Sequence, residues 1–217
     1  MIIITGASDG VGLQVAKLYQ QAGKKVVNIS RRASEYADIN IQADLTQGNE
    51  IIRAANEVKA LDEPLEAIIN AAGVWTEEAI GSISEDEVKR TMASNVKSVI
   101  MFTSELIDRI KQDETDILNI ISTAGTEQVA QGSAVYTASK WAARGYTKSL
   151  QLELKPTKCR VISFCPGGIN TDFFEKNTTR RDGQENWMKP EDIAGLIKQL
   201  LDLPKNMQVS EIIVNRN

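Results

Sequence analysis

Strand-like and helix-like segments alternate from end to end of this chain, and that rhythm limits what it can fold into. The apolar run Met1–Thr5 meets a glycine-rich turn, and Val11, Val15, Leu18 and Ala22 then recur at helical spacing up to Gly23. Lys25–Ser30 is rich in β-branched residues, and Ile39–Ala43 reads as a short third strand ended by Asp44-Leu45. Ile51, Ile52, Ala55 and Val58 suggest a second helix, and Leu65–Asn70 is a strand running into Ala71-Ala72-Gly73. Ser84 ahead of Glu85, Asp86 and Glu87 marks a helix start, and helical periodicity continues from there through Ile110. Asp116–Ser122 is a strand, Val135–Leu154 a long helix stopped by Pro156, and Arg160–Phe164 a strand ended by Pro166-Gly167-Gly168. Pro190 opens a helix with Ile193, Leu196, Ile197, Leu200 and Leu201 on one stripe, and Val209–Val214 is a final strand. Short connections between such units predict an α/β fold: a doubly wound parallel sheet covered on both faces. The 217 residues suffice for one domain with a full core and are short for two.

Several function classes are disfavoured. The net charge of −4, with no basic stripe, argues against a nucleic-acid partner. No stretch approaches the ~18 apolar residues of a membrane span. The N-terminus reads as a strand rather than a signal peptide, so a cytoplasmic protein is expected. Cys159 and Cys165 would stand ~20 Å apart along one strand, too far to bridge, and read as two buried thiols. No metal is expected. One irregular stretch, about 170–189, is polar but holds Phe173, Phe174 and Trp187, and connections that long are usually functional.

The chain has no histidine, so acid–base chemistry near neutral pH must come from a perturbed group. Tyr136 and Lys140 stand four residues apart and share one face of the long helix. An ammonium beside a phenol can lower the phenol's pKa, which would make Tyr136 a proton donor or acceptor. A packed core tyrosine and a solvated lysine would fit the same spacing. The first turn, Thr5-Gly6-Ala7-Ser8-Asp9-Gly10-Val11-Gly12, has the glycines a backbone needs to approach a pyrophosphate at a helix N-terminus. Its G-x-x-x-G-x-G spacing differs from the usual G-x-G-x-x-G, and a purely structural turn would also fit. Arg31 and Arg32 end the second strand, where arginine accommodates a 2′-phosphate and an acid would bind a ribose hydroxyl. That favours NADP over NAD; a solvated basic pair is the plain alternative. Asp9 weakens the NADP case, because a carboxylate there repels the extra phosphate.

Taken together these segments resemble the classical short-chain dehydrogenases/reductases over essentially the full length. The glycine turn matches the family's T-G-x-x-x-G-x-G. Asp44, with Leu45 beside it, matches the acid that contacts the adenine. Asn70-Ala71-Ala72-Gly73 matches the segment that shapes the cofactor site. Asn95, Ser122, Tyr136 and Lys140 fall where the family's catalytic tetrad falls. Pro166-Gly167-Gly168-Ile169-Asn170-Thr171 matches the P-G-x-x-x-T loop that contacts the nicotinamide carboxamide.

The resemblance implies hydride transfer between NADP and a small carbonyl or alcohol substrate. It implies Tyr136 as proton donor, Ser122 as a second donor to the same oxygen, and Lys140 on the nicotinamide ribose, holding the phenol's pKa down. It implies that Asn95 fixes a local helix distortion and a water leading from Lys140 to solvent. It also implies a homodimer or homotetramer through the two long helical stretches. Trp75, Phe173, Phe174 and Trp187 are candidate pocket lining, though core packing explains them as well. The tail after the last strand lacks the D-G-G common in 3-oxoacyl carrier-protein reductases, which counts against a 3-oxoacyl thioester substrate. A silent NADP-binding sensor is the rival from another class, and such proteins typically lose the tyrosine or the lysine.

Overall fold

A computed structural model describes residues 1–127, 132–174 and 183–216. The strands are β1 (Ile2–Thr5), β2 (Val26–Ser30), β3 (Ile39–Gln42), β4 (Ala67–Asn70), β5 (Asp116–Ile120), β6 (Val161–Pro166) and β7 (Glu211–Val214). They form one parallel sheet in the order β3-β2-β1-β4-β5-β6-β7. The helices between them are α1 (Gly10–Gln21), α2 (Gly48–Lys59), α3 (Glu85–Met92), α4 (Ser98–Glu105), α5 (Ile107–Gln112), α6 (Ala134–Leu154) and α7 (Pro190–Leu201). None of the described helices is long and apolar enough to cross a membrane.

The central strands are buried on both faces because helices cover both, whereas the edge strand β3 exposes Asn40 and Gln42. Ile4, Ile69, Leu118 and Ile162 meet Val15, Tyr19, Ile193 and Ile197 of α1 and α7. Ile3, Val27, Ile68 and Ile117 meet α2, α4, α5 and α6 on the other side, where Ile51, Phe102, Ile110 and Leu154 are buried. Both cysteines are free and buried. At the amino end of the sheet Arg160, with Asp116 at 2.7 Å, also donates to the carbonyls of Leu201 and Leu203, tying the turn after α7 to the sheet. That buried charge is tolerable because its donors are satisfied. Strand order reverses between β1 and β4, and the crevice at their carboxyl ends is where such sheets bind ligands.

The single periodic stretch from Ser84 to Ile110 is four pieces rather than one helix. A π-helical turn, Ala93–Lys97, separates α3 from α4, and a break at Leu106 separates α4 from α5. The strand expected to reach Ser122 stops at Ile120, because Ser122 turns to cap the short 3₁₀ turn Thr123–Gly125.

Candidate active site

The carboxyl ends of β1, β2, β4, β5 and β6 open onto one cleft of about 600 Å³. Its floor at one end is the glycine turn. Gly6, Ser8, Asp9, Gly10, Val11 and Gly12 all face the cleft. A side chain at Gly12 would run into the Gly6 carbonyl, so α1 can start this close to β1 only with glycine there. Asp9 is the N-cap of α1, its Oδ1 accepting from the Gly10 amide at 2.7 Å. The expected repulsive carboxylate is thus committed twice, since its Oδ2 also pairs with Arg32 Nη2 at 2.9 Å. Arg31 lines the same wall and makes no side-chain bond among the described residues. Buried Asn28, which the sequence gives no reason to single out, sets this geometry. Its amide donates to the Arg32 carbonyl at 2.9 Å, and its Oδ1 accepts from the Ala7 amide at 3.1 Å.

Asp44 and Leu45 close that end. The Asp44 carboxylate accepts from the Thr46 amide and hydroxyl at 2.9 and 2.8 Å. Ala71, Ala72 and Gly73 form the middle of the wall, with the Ala72 amide held by the Thr5 hydroxyl at 3.2 Å. Asn70 does not join them. It is buried behind the wall and donates to Asn119 Oδ1 at 2.7 Å, because its strand position faces α6, where Asn119 in turn donates to Thr147.

Asn95 also stands behind the wall. Its Oδ1 accepts from the Val74 amide at 2.8 Å, and its Nδ2 donates to the Val74 carbonyl and to Ser139 Oγ, both at 3.0 Å. Holding a backbone segment from both sides draws Asn95 out of regular helical register, which accounts for the π turn around it. Ser139 Oγ in turn donates to the Tyr136 carbonyl at 2.7 Å, so Asn95 braces the turn of α6 that carries Tyr136 and Lys140.

Ser122, Tyr136 and Lys140 face the cleft together. Tyr136 and Lys140 are each only 5% exposed, which decides their electrostatics. The expected lowering of the phenol's pKa is reversed by burial. Burial pushes Tyr136 up to about 12, with the Ser122 hydrogen bond opposing. Burial brings Lys140 down to about 8. The ammonium lies 5.6 Å from the phenol ring centroid and donates to the Ile120 carbonyl at 3.1 Å. Loss of water outweighs that attraction for both groups.

The far end of the cleft is aromatic. Trp75 lies 4.4 Å from the Tyr136 ring and 4.9 Å from Phe174, and Phe173 closes on Tyr136 at 6.4 Å. These rings are at once pocket wall and a small packed cluster. Pro166, Gly167 and Ile169 also line the cleft, and Thr171 comes back against Gly10. Trp187 lies flat on Gly168, where a Cβ would stand 2.7 Å from the ring. Residues 175–182 of the stretch 170–189, which include the basic pair Arg180-Arg181, lie outside the described residues, as does Asn217.

Two cationic residues in the wall carry no motif. Arg90, on α3, reaches the Trp75 carbonyl at 3.4 Å. Arg216, just beyond β7, lies 4.8 Å over the Trp187 ring. The rule that ligands sit beyond the carboxyl ends of parallel strands points to the second of these, since Arg216 follows the last strand. Nothing in the sequence points to Arg90.

Comparison with known proteins decides the family. A family model described as short chain dehydrogenase matches residues 1–182. This chain belongs to the short-chain dehydrogenase family. An uncharacterised oxidoreductase of Listeria monocytogenes is 28% identical over 99% of this chain and 95% of its own. A short-chain dehydrogenase/reductase of Vibrio parahaemolyticus superposes with a TM-score of 0.86 at 29% identity, covering 100% of this chain and 97% of its own. A family member from Francisella tularensis gives 0.86 at 27% identity, covering 99% and 96%. The chain is therefore an oxidoreductase of the short-chain type, acting with a nicotinamide cofactor on a CH–OH/C=O group.

Proposed function

We propose that this dehydrogenase is an NADP-dependent carbonyl reductase or alcohol dehydrogenase, with Ser122, Tyr136 and Lys140 as its catalytic residues. The observation that carries the reading is that the three line one cleft together with the glycine turn and Arg31. The cleft's residues fit a phosphorylated dinucleotide. The N-terminus of α1 offers free amides and positive potential, Gly12 lets α1 start close against β1, and Arg31 makes no side-chain bond among the described residues, which leaves its donors for a phosphate. Asp44 has a carboxylate oxygen, Oδ2, left for the adenine end.

When bound, the nicotinamide supplies the hydride that reduces the carbonyl carbon. Tyr136 gives its phenolic proton to the carbonyl oxygen, and its raised pKa keeps it in the acid form that this step needs. Ser122 donates to the same oxygen and stabilises its developing charge. Lys140 has three donors and uses one on Ile120, which leaves two for the cofactor's sugar hydroxyls. Asn95 acts as a positioning residue through Val74 and Ser139. Trp75, Phe173 and Phe174 favour a substrate with an apolar body. Exposed Ile100 and Trp141, on α4 and α6, support assembly of copies through those helices. A soluble, cytoplasmic enzyme accords with this reading.

The test is a steady-state NADPH-oxidation screen over ketones, aldehydes and 3-oxoacyl thioesters. Turnover of a simple carbonyl supports the reading, preferred turnover of thioesters redirects it, and NADPH binding with no turnover replaces it with a sensor. Replacing Arg31 and Arg32 together by alanine raises KM for NADPH roughly tenfold or more, the worth of a charge-assisted hydrogen bond, and moves KM for NADH little. Equal effects on the two cofactors would show that the pair does not read a 2′-phosphate.

A further inference from the structure

We infer that Asp9 is a built-in counter-ion to Arg32 that narrows the enzyme's preference for NADPH over NADH. The inference rests on the nicotinamide reading of the cleft and adds a residue that opposes, rather than makes, the cofactor contact. Asp9 leaves the end of β1 and Arg32 the end of β2, and their side chains meet at the cleft mouth. One Asp9 oxygen is committed to the Gly10 amide at 2.7 Å, which fixes where the carboxylate stands. The other takes Arg32 Nη2 at 2.9 Å. The Arg32 backbone is fixed as well, its carbonyl accepting from Asn28 Nδ2 at 2.9 Å and from Ser30 Oγ at 2.6 Å. The two charges are therefore held together by separate backbone anchors rather than by chance contact of two long side chains.

The consequence is electrostatic. Among the described residues Arg31, Arg32, Asp9 and Asp44 line this end of the cleft, two guanidiniums beside two carboxylates. A 2′-phosphate placed here gains Arg31 outright. It shares Arg32 with a carboxylate already bonded to it, and it meets the negative charge of Asp9 directly. NADH carries a neutral hydroxyl at that position and is spared this repulsion. Both cofactors share the same pyrophosphate, so the ratio of their affinities isolates the effect at the 2′ position. The bridge is partly exposed, with side-chain accessibilities of 63% for Arg32 and 34% for Asp9, so its influence is moderate and sensitive to salt.

The decisive variant is Asp9→Asn. Asparagine caps a helix as well as aspartate does and keeps an oxygen for Gly10, while the charge and the bond to Arg32 are lost. NADPH and NADH are titrated separately into the full-length chain, following nucleotide fluorescence. Asp9→Asn raises the NADPH-over-NADH affinity ratio roughly fivefold in low salt, and the gain fades near ~0.5 M KCl. In an Arg32→Ala background the same substitution gives a clearly smaller gain, because the competition for the guanidinium is gone and only the direct repulsion is relieved. An unchanged or lowered ratio in Asp9→Asn overturns the inference. So does a gain of equal size in the Arg32→Ala background. If the wild-type chain binds neither nucleotide, the nicotinamide reading itself fails and takes this inference with it. If both nucleotides bind and only the ratio fails to move, the counter-ion role alone is lost.

Discussion

Tyr136→Phe lowers kcat for carbonyl reduction by about 10²–10⁴-fold, the usual worth of a positioned general acid, while NADPH binding persists. The substitution removes one oxygen and keeps the ring. That ring is buried, 4.4 Å from Trp75 and within the cluster formed with Phe173 and Phe174, so the packing survives. The proton and the bond to Ser122 are what is lost. The two explanations of a buried tyrosine separate cleanly here. A core tyrosine replaced by phenylalanine leaves turnover near normal, whereas a proton donor replaced by phenylalanine leaves a folded, cofactor-binding and nearly inactive enzyme. Steady-state rates on the best substrate, with an NADPH titration alongside, read both. Near-normal turnover would remove Tyr136 from the mechanism. The pH dependence has a sign as well. Burial pushes the phenol up to about 12, so the acid form that reduction uses persists through the neutral range. Alcohol oxidation needs the deprotonated phenol, and its rate climbs with pH over about 7–10.

The parallel sheet was legible because most strands are largely apolar runs and each crossover helix carries its own stripe. Those patterns follow from burial, which the sequence records directly. The glycine turn was legible because glycine is demanded where α1 starts against Gly6. The roles assigned to charge were harder to read. The Tyr136–Lys140 spacing gave the shared face correctly but the wrong sign for the phenol's pKa, since spacing reports proximity and says nothing of how much water is excluded. Arg31 and Arg32 look equivalent in the sequence. Only the fold brings Asp9, 23 positions before Arg32, onto one of them. Asn95 was expected to distort its helix, and it does. Its partners Val74 and Ser139 lie on a loop and a helix far away along the chain, so periodicity alone read straight through the π turn. Arg90 escaped because a lysine or arginine near the end of a helix is ordinary, and its approach to Trp75 is a tertiary fact.

Lys140→Met abolishes turnover yet makes the cofactor-free chain more stable at neutral pH. Lys140 is 5% exposed, its ammonium donates to the Ile120 carbonyl, and no carboxylate pairs with it among the described residues. Burial brings its pKa down from 10.5 to about 8. At 1.36 kcal/mol per pKa unit, that depression corresponds to a folding penalty on the order of 3 kcal/mol. The sign follows from proton counting. Below about pH 8 both folded and unfolded chains carry the proton, and the penalty is present in full. Between about pH 8 and 10.5 the folded chain has released the proton and the unfolded chain still holds it, so rising pH relieves the penalty. Methionine fills the space of the lysine stem without the charge. Its advantage over the wild type is therefore largest near pH 7, worth roughly 5–10 °C in Tm for a domain of this size, and shrinks toward pH 10.5. Tyr136 titrates in both chains and cancels in the difference. Thermal unfolding of both chains at pH 7 and near pH 10 measures it. A lysine kept only to anchor Ile120 predicts the reverse, a methionine variant less stable at every pH. A gain in stability coupled to loss of turnover means that this fold holds an unfavourable buried charge beside its phenol, and that catalysis is the reason the charge is there.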